Sequence, residues 1–176
     1  MYDIYLRTLT HCSLKSDCSC RPNVLQEFDV AFLSFTFRAL RKIEADEQIF
    51  VSYINILLPF KNRQEKLTRY RIICTCTSCT KATPESEKLR TDDGLEPLFN
   101  LVKEVAKKAC IANALNIKHL EGLTKWRQIF IDEGWQATPI YPILLNYITR
   151  VSKVLKLGAM VKQFNDEHLD RTQAFA

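Results

Sequence analysis

The sequence predicts an α+β protein in which an antiparallel β region and a cysteine-rich loop precede an α-helical carboxy-terminal part. Three observations support this order: apolar residues alternate with period two within 24–53, three cysteines cluster at 74–79, and the apolar period becomes helical after residue 94. The 176 residues are 47% hydrophobic and 26% charged, an ordinary globular composition that is enough for one domain or one and a half. A buried core is therefore expected.

In the β region, Phe28, Val30 and Phe32 alternate onto one face of a strand that is predicted to end near Phe37. The charged, turn-like segment 38–48 should connect this strand to a second one at 49–52, which makes an antiparallel pair. Pro59 then interrupts the apolar run, and Asn62 is predicted to cap a helix over 63–72. This helix leads directly into the cysteine-rich segment.

The second half of the chain reads as helical. Segment 81–94 lacks aromatic residues and is rich in charge, so we assign it as a linker. Apolar residues then recur at three- and four-residue steps over 98–112 and 143–155, Gly158 is a plausible C-cap, and a further helix is expected over 159–169. These helices suggest paired antiparallel packing similar to helical repeats, but without a convincing repeat in sequence, so simple helical packing is favoured.

The charge pattern gives little support to a nucleic-acid partner. Twenty-five Lys and Arg against 20 Asp and Glu give a formal net charge of +5, but the two signs are interleaved. The first twenty residues hold no apolar run of signal-peptide length, and no later segment approaches the roughly 18 apolar residues of a membrane span. We expect a soluble intracellular protein, nuclear and/or cytoplasmic, with no membrane contact and no direct nucleic-acid contact.

Three of the seven cysteines, Cys74, Cys76 and Cys79, have the spacing C-x-C-x-x-C, in which a tight loop turns three thiolates toward one centre. In a chain without a secretory signal, reduced thiols and a metal explain this better than disulfides, and the spacing fits none of the usual iron–sulfur runs. A structural zinc site needs a fourth ligand. The residue types and spacing leave the following candidates open: Cys20, Cys18, Cys12, His11, Cys110 and His119.

Taken in order, the motifs resemble the SET-domain protein methyltransferases, and most of all their SET and MYND subfamily. D-C-S-C-R-P-N at 17–23 parallels N-H-S-C-x-P-N, and I-E-A-D-E-Q-I at 43–49 parallels I-x-x-G-E-E-I. Ser52 and Tyr53 then match the following S-Y, the helix motif R-Q-x-x-L is met from Arg63, and Y-R-I-I-C-T-C-T-S-C at 70–79 parallels Y-x-F-x-C-x-C-x-x-C. All of them in order, at compatible distances, make coincidence improbable.

The resemblance implies a role for each matched position. It makes Cys20 the fourth zinc ligand beside Cys74, Cys76 and Cys79, in a post-SET zinc knuckle. It places the Tyr53 hydroxyl at the lysine channel, where it orients the amine for transfer of a methyl group from S-adenosylmethionine. The cofactor-binding positions that it implies are Asp17, Cys18, Asn23 and Ile72. The implied substrate is a histone or another lysine-bearing protein, added as an extended strand.

The resemblance also divides the chain. Residues 1–73 correspond to the carboxy-terminal part of a SET domain, 74–80 to the post-SET zinc knuckle, 81–94 to a linker, and 95–176 to a helical domain, for which we expect a protein partner. The remaining cysteines and histidines are interpreted as structural or surface residues: Cys12, Cys110, His11, His119 and His168.

Four matched positions depart from the family pattern. Asp17 replaces Asn, which sets a carboxylate near that of the cofactor, and Cys18 replaces His, a milder change if the contact is made by the main chain. Asp46 replaces Gly at a turn, where Asp tolerates a left-handed backbone better than most residues, and Ile72 replaces an aromatic residue that packs on the cofactor.

The largest departure is the absence of the glycine-containing G-x-G loop that wraps the cofactor. The four glycines are at least ten positions apart, and only 16 residues precede Asp17. The chain is therefore expected to be either a fragment of a lysine methyltransferase or a catalytically inactive, zinc-stabilised SET remnant that acts as a protein-interaction module. A zinc finger that binds nucleic acid is disfavoured, because no basic helix follows the cysteines.

Overall fold

The computed structural model describes residues 6–9, 17–109, 111 and 114–172, and it describes side chains for 17–91, 93–109, 111 and 114–167. The chain divides into two compact units. One extends to Glu87 and includes residues 133–138, and the other holds Lys88–Asp132 and the chain from Pro139 onward. The molecule is mixed α and β, with two small sheets in the first unit and mainly helices in the second.

The first unit contains five strands. They are β1 (Leu6–Leu9), β2 (Asp17–Cys18), β3 (Val24–Asp29), β4 (Ser34–Ala39) and β5 (Phe50–Val51). The three-stranded sheet has the order β1-β4-β3 and is antiparallel throughout, whereas β2 and β5 pair in parallel. Val24, Phe37 and Val51 form a buried cluster between these strands.

The single strand predicted to run to Phe37 is instead a hairpin of β3 and β4. The carboxylate of Asp29 accepts hydrogen bonds from the N–H groups of Ala31 (2.9 Å) and Phe32 (3.2 Å), which closes a turn. Leu33 completes the turn with a φ of 47°. Val30 and Phe32 therefore lie exposed in the turn rather than on a strand face.

The predicted antiparallel pairing of the second strand with the first is also wrong. Strand β4 lies at the centre of its sheet, so β1 and β3 already occupy both of its edges. The backbone of β5 is satisfied elsewhere: Phe50 C=O accepts from Asn23 N–H at 3.2 Å, and Val51 C=O accepts from Ser19 N–H at 2.9 Å. This pairing brings the 17–23 motif beside the segment that leads to Tyr53.

Three short helices follow: α1 (Phe60–Thr68), α2 (Thr77–Thr80) and α3 (Pro84–Leu89). Helix α1 begins two residues before the predicted cap Asn62, because Pro59 takes the N-cap position and Glu87 accepts the Phe60 N–H at 2.5 Å. The segment interpreted as a linker holds α3 and the start of the next helix. There Thr83 Oγ1 accepts from Ser86 N–H (3.2 Å), a local capping signal that the charge content concealed.

The second unit is built from α4 (Asp92–Lys108), most of α5 (Ile117–Glu133), α6 (Ile140–Val154) and α7 (Gly158–Thr172). Its buried side chains include Leu98, Val105, Phe130, Tyr141 and Ile148, and the Phe130 and Tyr141 rings stack with centroids 6.0 Å apart. Ile143 and Val154, which the period places on the apolar face, are half-exposed. None of the described helices has the length and apolarity to cross a membrane.

The C-cap predicted at Gly158 is wrong, because α6 ends before Leu155. Lys156 takes the left-handed conformation with φ 57°, and Leu157 N–H returns to Ser152 C=O at 3.0 Å. This is a Schellman closure with lysine where glycine is usual. Gly158 instead begins α7.

Candidate metal centre and neighbouring site residues

Four cysteine side chains converge in the first unit. Cys20 comes from the turn after β2, Cys74 and Cys76 come from the loop between α1 and α2, and Cys79 lies in α2; all four Sγ atoms lie within 4.8 Å of one another. The Cys20 Sγ is 4.0 Å from that of Cys74 and 3.6 Å from that of Cys79. Zinc–sulfur bonds of about 2.3 Å give a tetrahedron with edges of about 3.8 Å. The donor atoms and their spacing therefore fit Zn²⁺.

The structure chooses among the candidate fourth ligands that spacing left open. Cys20 joins the other three sulfur atoms, and Cys18 lies beside the group without belonging to it. His119 lies in the second unit, where its Nδ1 accepts the Asn116 N–H at 3.1 Å and its Nε2 is 3.3 Å from Glu104. His11, Cys12 and Cys110 fall outside the described residues, as does the side chain of His168.

Hydrogen bonds among the four thiols, together with their burial, shift the pKa values of this group. Hydrogen bonds from Cys20 and Cys79 lower the pKa of Cys76 far below its usual range, whereas the hydrogen bonds with Cys76 and Cys79, followed by burial, raise the pKa of Cys20 far above it. For Cys79, the hydrogen bond with Cys20 lowers the pKa, but Cys76 and burial outweigh it and raise the pKa to about 11. One thiolate is thus stabilised at the expense of the others, and a divalent cation would allow all four to ionise.

Helix α1 supports the cysteine loop with three residues of one motif. Leu67 is fully buried and packs with Cys20 and Cys74. Gln64 Nε2 donates to Cys74 C=O at 3.2 Å, and Arg63 Nη2 donates to Ser78 C=O at 3.1 Å. The R-Q-x-x-L pattern is therefore a set of contacts that hold the loop.

The end of α1 turns the chain back toward the site. Arg71 has a φ of 57°, its N–H bonds Thr68 C=O at 2.9 Å, and Ile72 N–H bonds Leu67 C=O at 3.1 Å. This second Schellman closure reverses the chain within a few residues. It places Ile72 against the Cys20, Leu67 and Cys74 cluster and leads directly into Cys74.

Arg63 is a fully buried cation beside the four-cysteine group. Its Nη1 donates to Leu58 C=O at 2.6 Å, and its Nη2 lies 3.2 Å from Glu87 Oε1. Burial acts to lower the pKa of Arg63, but the nearby Cys20, Glu87 and Cys79 raise it overall. Sequence reasoning missed Glu87, because this residue is 24 positions from Arg63 and lies in a segment interpreted as a linker.

Tyr53 lies close to Cys18 as a result of the parallel β2–β5 pairing, which sets Cys18 opposite Val51. Burial raises the pKa of the Cys18 thiol, while a hydrogen bond with the Tyr53 backbone acts in the opposite direction. The Tyr53 ring is 37% exposed and lies 5.6 Å, centroid to centroid, from the ring of Tyr70. The Tyr53 backbone thus contacts Cys18, and the Tyr53 ring contacts the Tyr70 ring.

The residues that the sequence predicts to bind the cofactor lie in different environments. Cys18 and Ile72 both pack against the Cys20, Leu67 and Cys74 cluster. Asp17 is exposed and accepts a hydrogen bond from Gln48 Nε2.

Asn23 is almost fully buried and makes its contacts within the protein. Its Nδ2 donates to Glu47 Oε1 (3.1 Å) and Gln48 C=O (2.8 Å), and its Oδ1 accepts the Phe50 N–H at 2.7 Å. Both N–H donors of its amide are therefore used to hold the 47–50 segment. The cofactor and catalytic roles of Asp17, Cys18, Asn23, Ile72 and Tyr53 stay predictions.

Comparison with known proteins finds similarity to one family. Residues 7–54 match the model of the SET domain. The chain is 36% identical over 73 residues to the N-lysine methyltransferase SMYD2 of Gallus gallus, an alignment that covers 41% of this chain and 16% of that protein. It is 30% identical over 112 residues to the histone-lysine N-methyltransferase SMYD3 of Mus musculus, covering 63% and 23%, and 32% identical over 91 residues to SMYD2 of Homo sapiens, covering 48% and 21%. The chain thus spans less than a quarter of the length of these relatives.

Proposed function

Because this chain is related to the SET-domain methyltransferases of the SET and MYND subfamily, we propose that it is part of an S-adenosylmethionine-dependent protein-lysine methyltransferase. The observation that carries the proposal is the convergence of the separate motifs: Cys20 meets the cysteine loop, and Cys18 meets the Tyr53 backbone. We propose that the SET part spans 1–73, the post-SET knuckle 74–80, the linker 81–94 and the helical domain 95–176.

The proposed zinc is structural and is held by Cys20, Cys74, Cys76 and Cys79. All four ligands are protein atoms, which leaves no open position for a reacting water, and the two best-buried sulfur atoms belong to the core around Leu67. Zinc bound there would tie the turn after β2 to the loop after α1. It would therefore keep Cys18, Ile72 and Tyr53 close together.

S-adenosylmethionine fits the described residues only in part. Cys18 and Ile72 pack against the same buried cluster, and we assign them with Tyr53 to one side of the proposed site, but both amide donors of Asn23 are already used, and Asp17 presents a carboxylate. When bound, this cofactor supplies the methyl group. The proposed task of Tyr53 is to orient the substrate amine through its hydroxyl, on a surface that the Tyr70 ring extends.

A second candidate function is a zinc-stabilised SET remnant that binds a protein partner without catalysis. The internal use of the Asn23 amide and the carboxylate of Asp17 favour it, because both reduce what the chain offers to a cofactor. In either function the proposed partner is a protein. For the enzyme this protein is the substrate, a histone or another lysine-bearing protein. The proposed location is the nucleus and/or the cytoplasm.

Methyl transfer distinguishes the two functions. The 176-residue chain alone should show no S-adenosylmethionine binding by calorimetry at micromolar cofactor, since the four glycines supply no G-x-G loop. A protein extended to the length of its relatives should transfer labelled methyl groups to lysine. There, Tyr53→Phe should lower kcat by about 100-fold with little change in cofactor binding, because the ring still fills its place while the amine loses its orienting hydroxyl.

The matched control is Tyr147→Phe, which removes a hydroxyl in the second unit and should leave kcat unchanged. An extended protein that binds no cofactor would favour the inactive remnant. Equal turnover by wild type and Tyr53→Phe would remove the role proposed for Tyr53.

A further inference from the structure

We propose that Arg63 is the buried counter-charge of the four-cysteine site and that Glu87 is the residue that holds it in position. The inference rests on the zinc site proposed above and assigns two residues outside the ligand set to metal retention. Arg63 is a positioning residue in this sense, because it acts on the metal through the thiolates and the knuckle backbone.

The burial of Arg63 calls for a specific explanation. Its side chain has no exposed surface, although a guanidinium is costly to remove from water unless it is paired. Two carbonyl groups and one carboxylate accept from its Nη atoms, at Leu58, Ser78 and Glu87. Its Nε–H finds no acceptor among the described residues. The hydrogen bonds to these three oxygen acceptors alone therefore leave the buried cation incompletely satisfied.

The remaining compensation for the positive charge of Arg63 is the negative charge of the metal site. Four thiolates around one Zn²⁺ carry a net charge of −2, and Cys20 and Cys74 are buried. Arg63 reaches the carbonyl of Ser78, which lies in α2 between Cys76 and Cys79. A cation that contacts the backbone between two of the cysteines lowers the energy of the buried tetrathiolate, as water does for an exposed one.

Glu87 orients the guanidinium group of Arg63. One of its carboxylate oxygens lies 3.2 Å from Arg63 Nη2, and the other accepts the Phe60 N–H at the start of α1 at 2.5 Å. The carboxylate therefore fixes Arg63 against its own helix. It also competes with the thiolates for the positive charge, so charge and geometry make opposite contributions at this residue.

Zinc affinity, measured in the 176-residue chain by competition with a chromophoric chelator, separates these contributions. Arg63→Gln should weaken zinc binding by about 10- to 100-fold, and Arg63→Lys should recover most of the loss because it restores the charge. Glu87→Gln keeps one carbonyl oxygen as an acceptor for Arg63 Nη2, gives up the acceptor of the Phe60 N–H, and removes the competing charge, so its affinity for zinc should equal or exceed that of wild type. Lys66→Gln removes an exposed cation from the same helix and should change nothing.

If Arg63 and Glu87 only hold the backbone in place and have no electrostatic role, the opposite changes in zinc affinity are expected. In that case Glu87→Gln would weaken zinc binding as much as Arg63→Gln, and Arg63→Lys would give no recovery, which would overturn the proposal. Circular dichroism of each zinc-loaded variant reports folding, and if Arg63→Gln does not fold, the pair Arg63→Lys and Glu87→Gln still decides. A wild-type chain that binds no zinc would refute the metal site itself, whereas wild-type binding with an unchanged Arg63→Gln would refute only the counter-charge.

Discussion

Asp46 and Glu47 organise the turn that precedes β5. Asp46 has a φ of 62°, the left-handed conformation expected at the position where the family motif has glycine. The neighbouring carboxylate of Glu47 accepts from Arg41 Nη1 (2.9 Å), from the Glu44 N–H (3.1 Å) and from Asn23 Nδ2 (3.1 Å). One side chain thus connects this turn to the buried amide that holds β5.

Glu47 should make stability depend on acid pH. The hydrogen bond from Arg41, followed by those from Glu44 and Asn23, lowers the pKa of Glu47 from 4.5 to about 2. Because the folded-state pKa is depressed, the stabilisation is fully present above about pH 4.5 and is lost as the pH falls through about 2. In urea unfolding, Glu47→Gln should be less stable than wild type at pH 6, with the difference shrinking toward pH 2.

The control for this measurement is Glu44→Gln, since the Glu44 side chain is largely exposed and bonds Lys42 at the surface. Its effect at pH 6 should be small. A Glu47→Gln deficit that stays constant from pH 6 to pH 2 would contradict the linkage.

Helix α1 is the element on which the cysteine loop depends. Its positions 63, 64 and 67 contact the loop, and the left-handed Arg71 ends the helix so that the chain returns to the same side. The nine residues of α1 have few apolar side chains, so most of its stability must come from these contacts rather than from helix propensity.

Truncating Leu67 should test this dependence. Leu67→Ala leaves a cavity under Cys20 and Cys74 and should lower the free energy of unfolding by about 2–5 kcal/mol. Ile73→Ala is the matched control, because Ile73 is 82% exposed and its loss should cost within about 0.5 kcal/mol. Denaturant unfolding of the zinc-loaded chain measures both, and equal effects would show that α1 does not brace the loop through Leu67.

At the scale of the whole molecule, metal should stabilise one unit and leave the other unaffected. The four cysteines lie within the unit that extends to Glu87, whereas Leu98, Val105, Tyr141 and Ile148 give the second unit an apolar core of its own. We therefore expect one zinc per chain, and we expect chelation to unfold the first unit while the second unit stays folded.

Metal analysis and thermal melts of Cys76→Ser and Cys18→Ser test this expectation. Cys76→Ser removes one of the four proposed sulfur ligands and should lose most of the bound zinc, whereas Cys18→Ser removes the adjacent thiol outside that set and should retain it. A wild-type chain that is folded and free of zinc, or equal zinc loss in both variants, would contradict the assignment of the ligands.

The sequence by itself determined the features that depend on near neighbours. The C-x-C-x-x-C spacing identified three of the four cysteines that converge, the helical period marked α4 and α6, and the motif position of Asp46 predicted its left-handed backbone. The turn at Asp29 was also encoded locally, and it was missed because the apolar alternation of the surrounding residues runs through it. Helix α5 was missed as well.

Only the tertiary structure decided which distant residues meet. From the residues alone, six side chains remained candidates for the fourth ligand, and the fold brought Cys20 to Cys74 across 54 positions. It also paired β5 with β2 rather than β4, and it set Glu87 against Arg63. Residue periodicity records which face of a helix or strand is buried, but not which partner buries it, since pairing depends on edges already occupied and on charges that must be compensated once water is excluded.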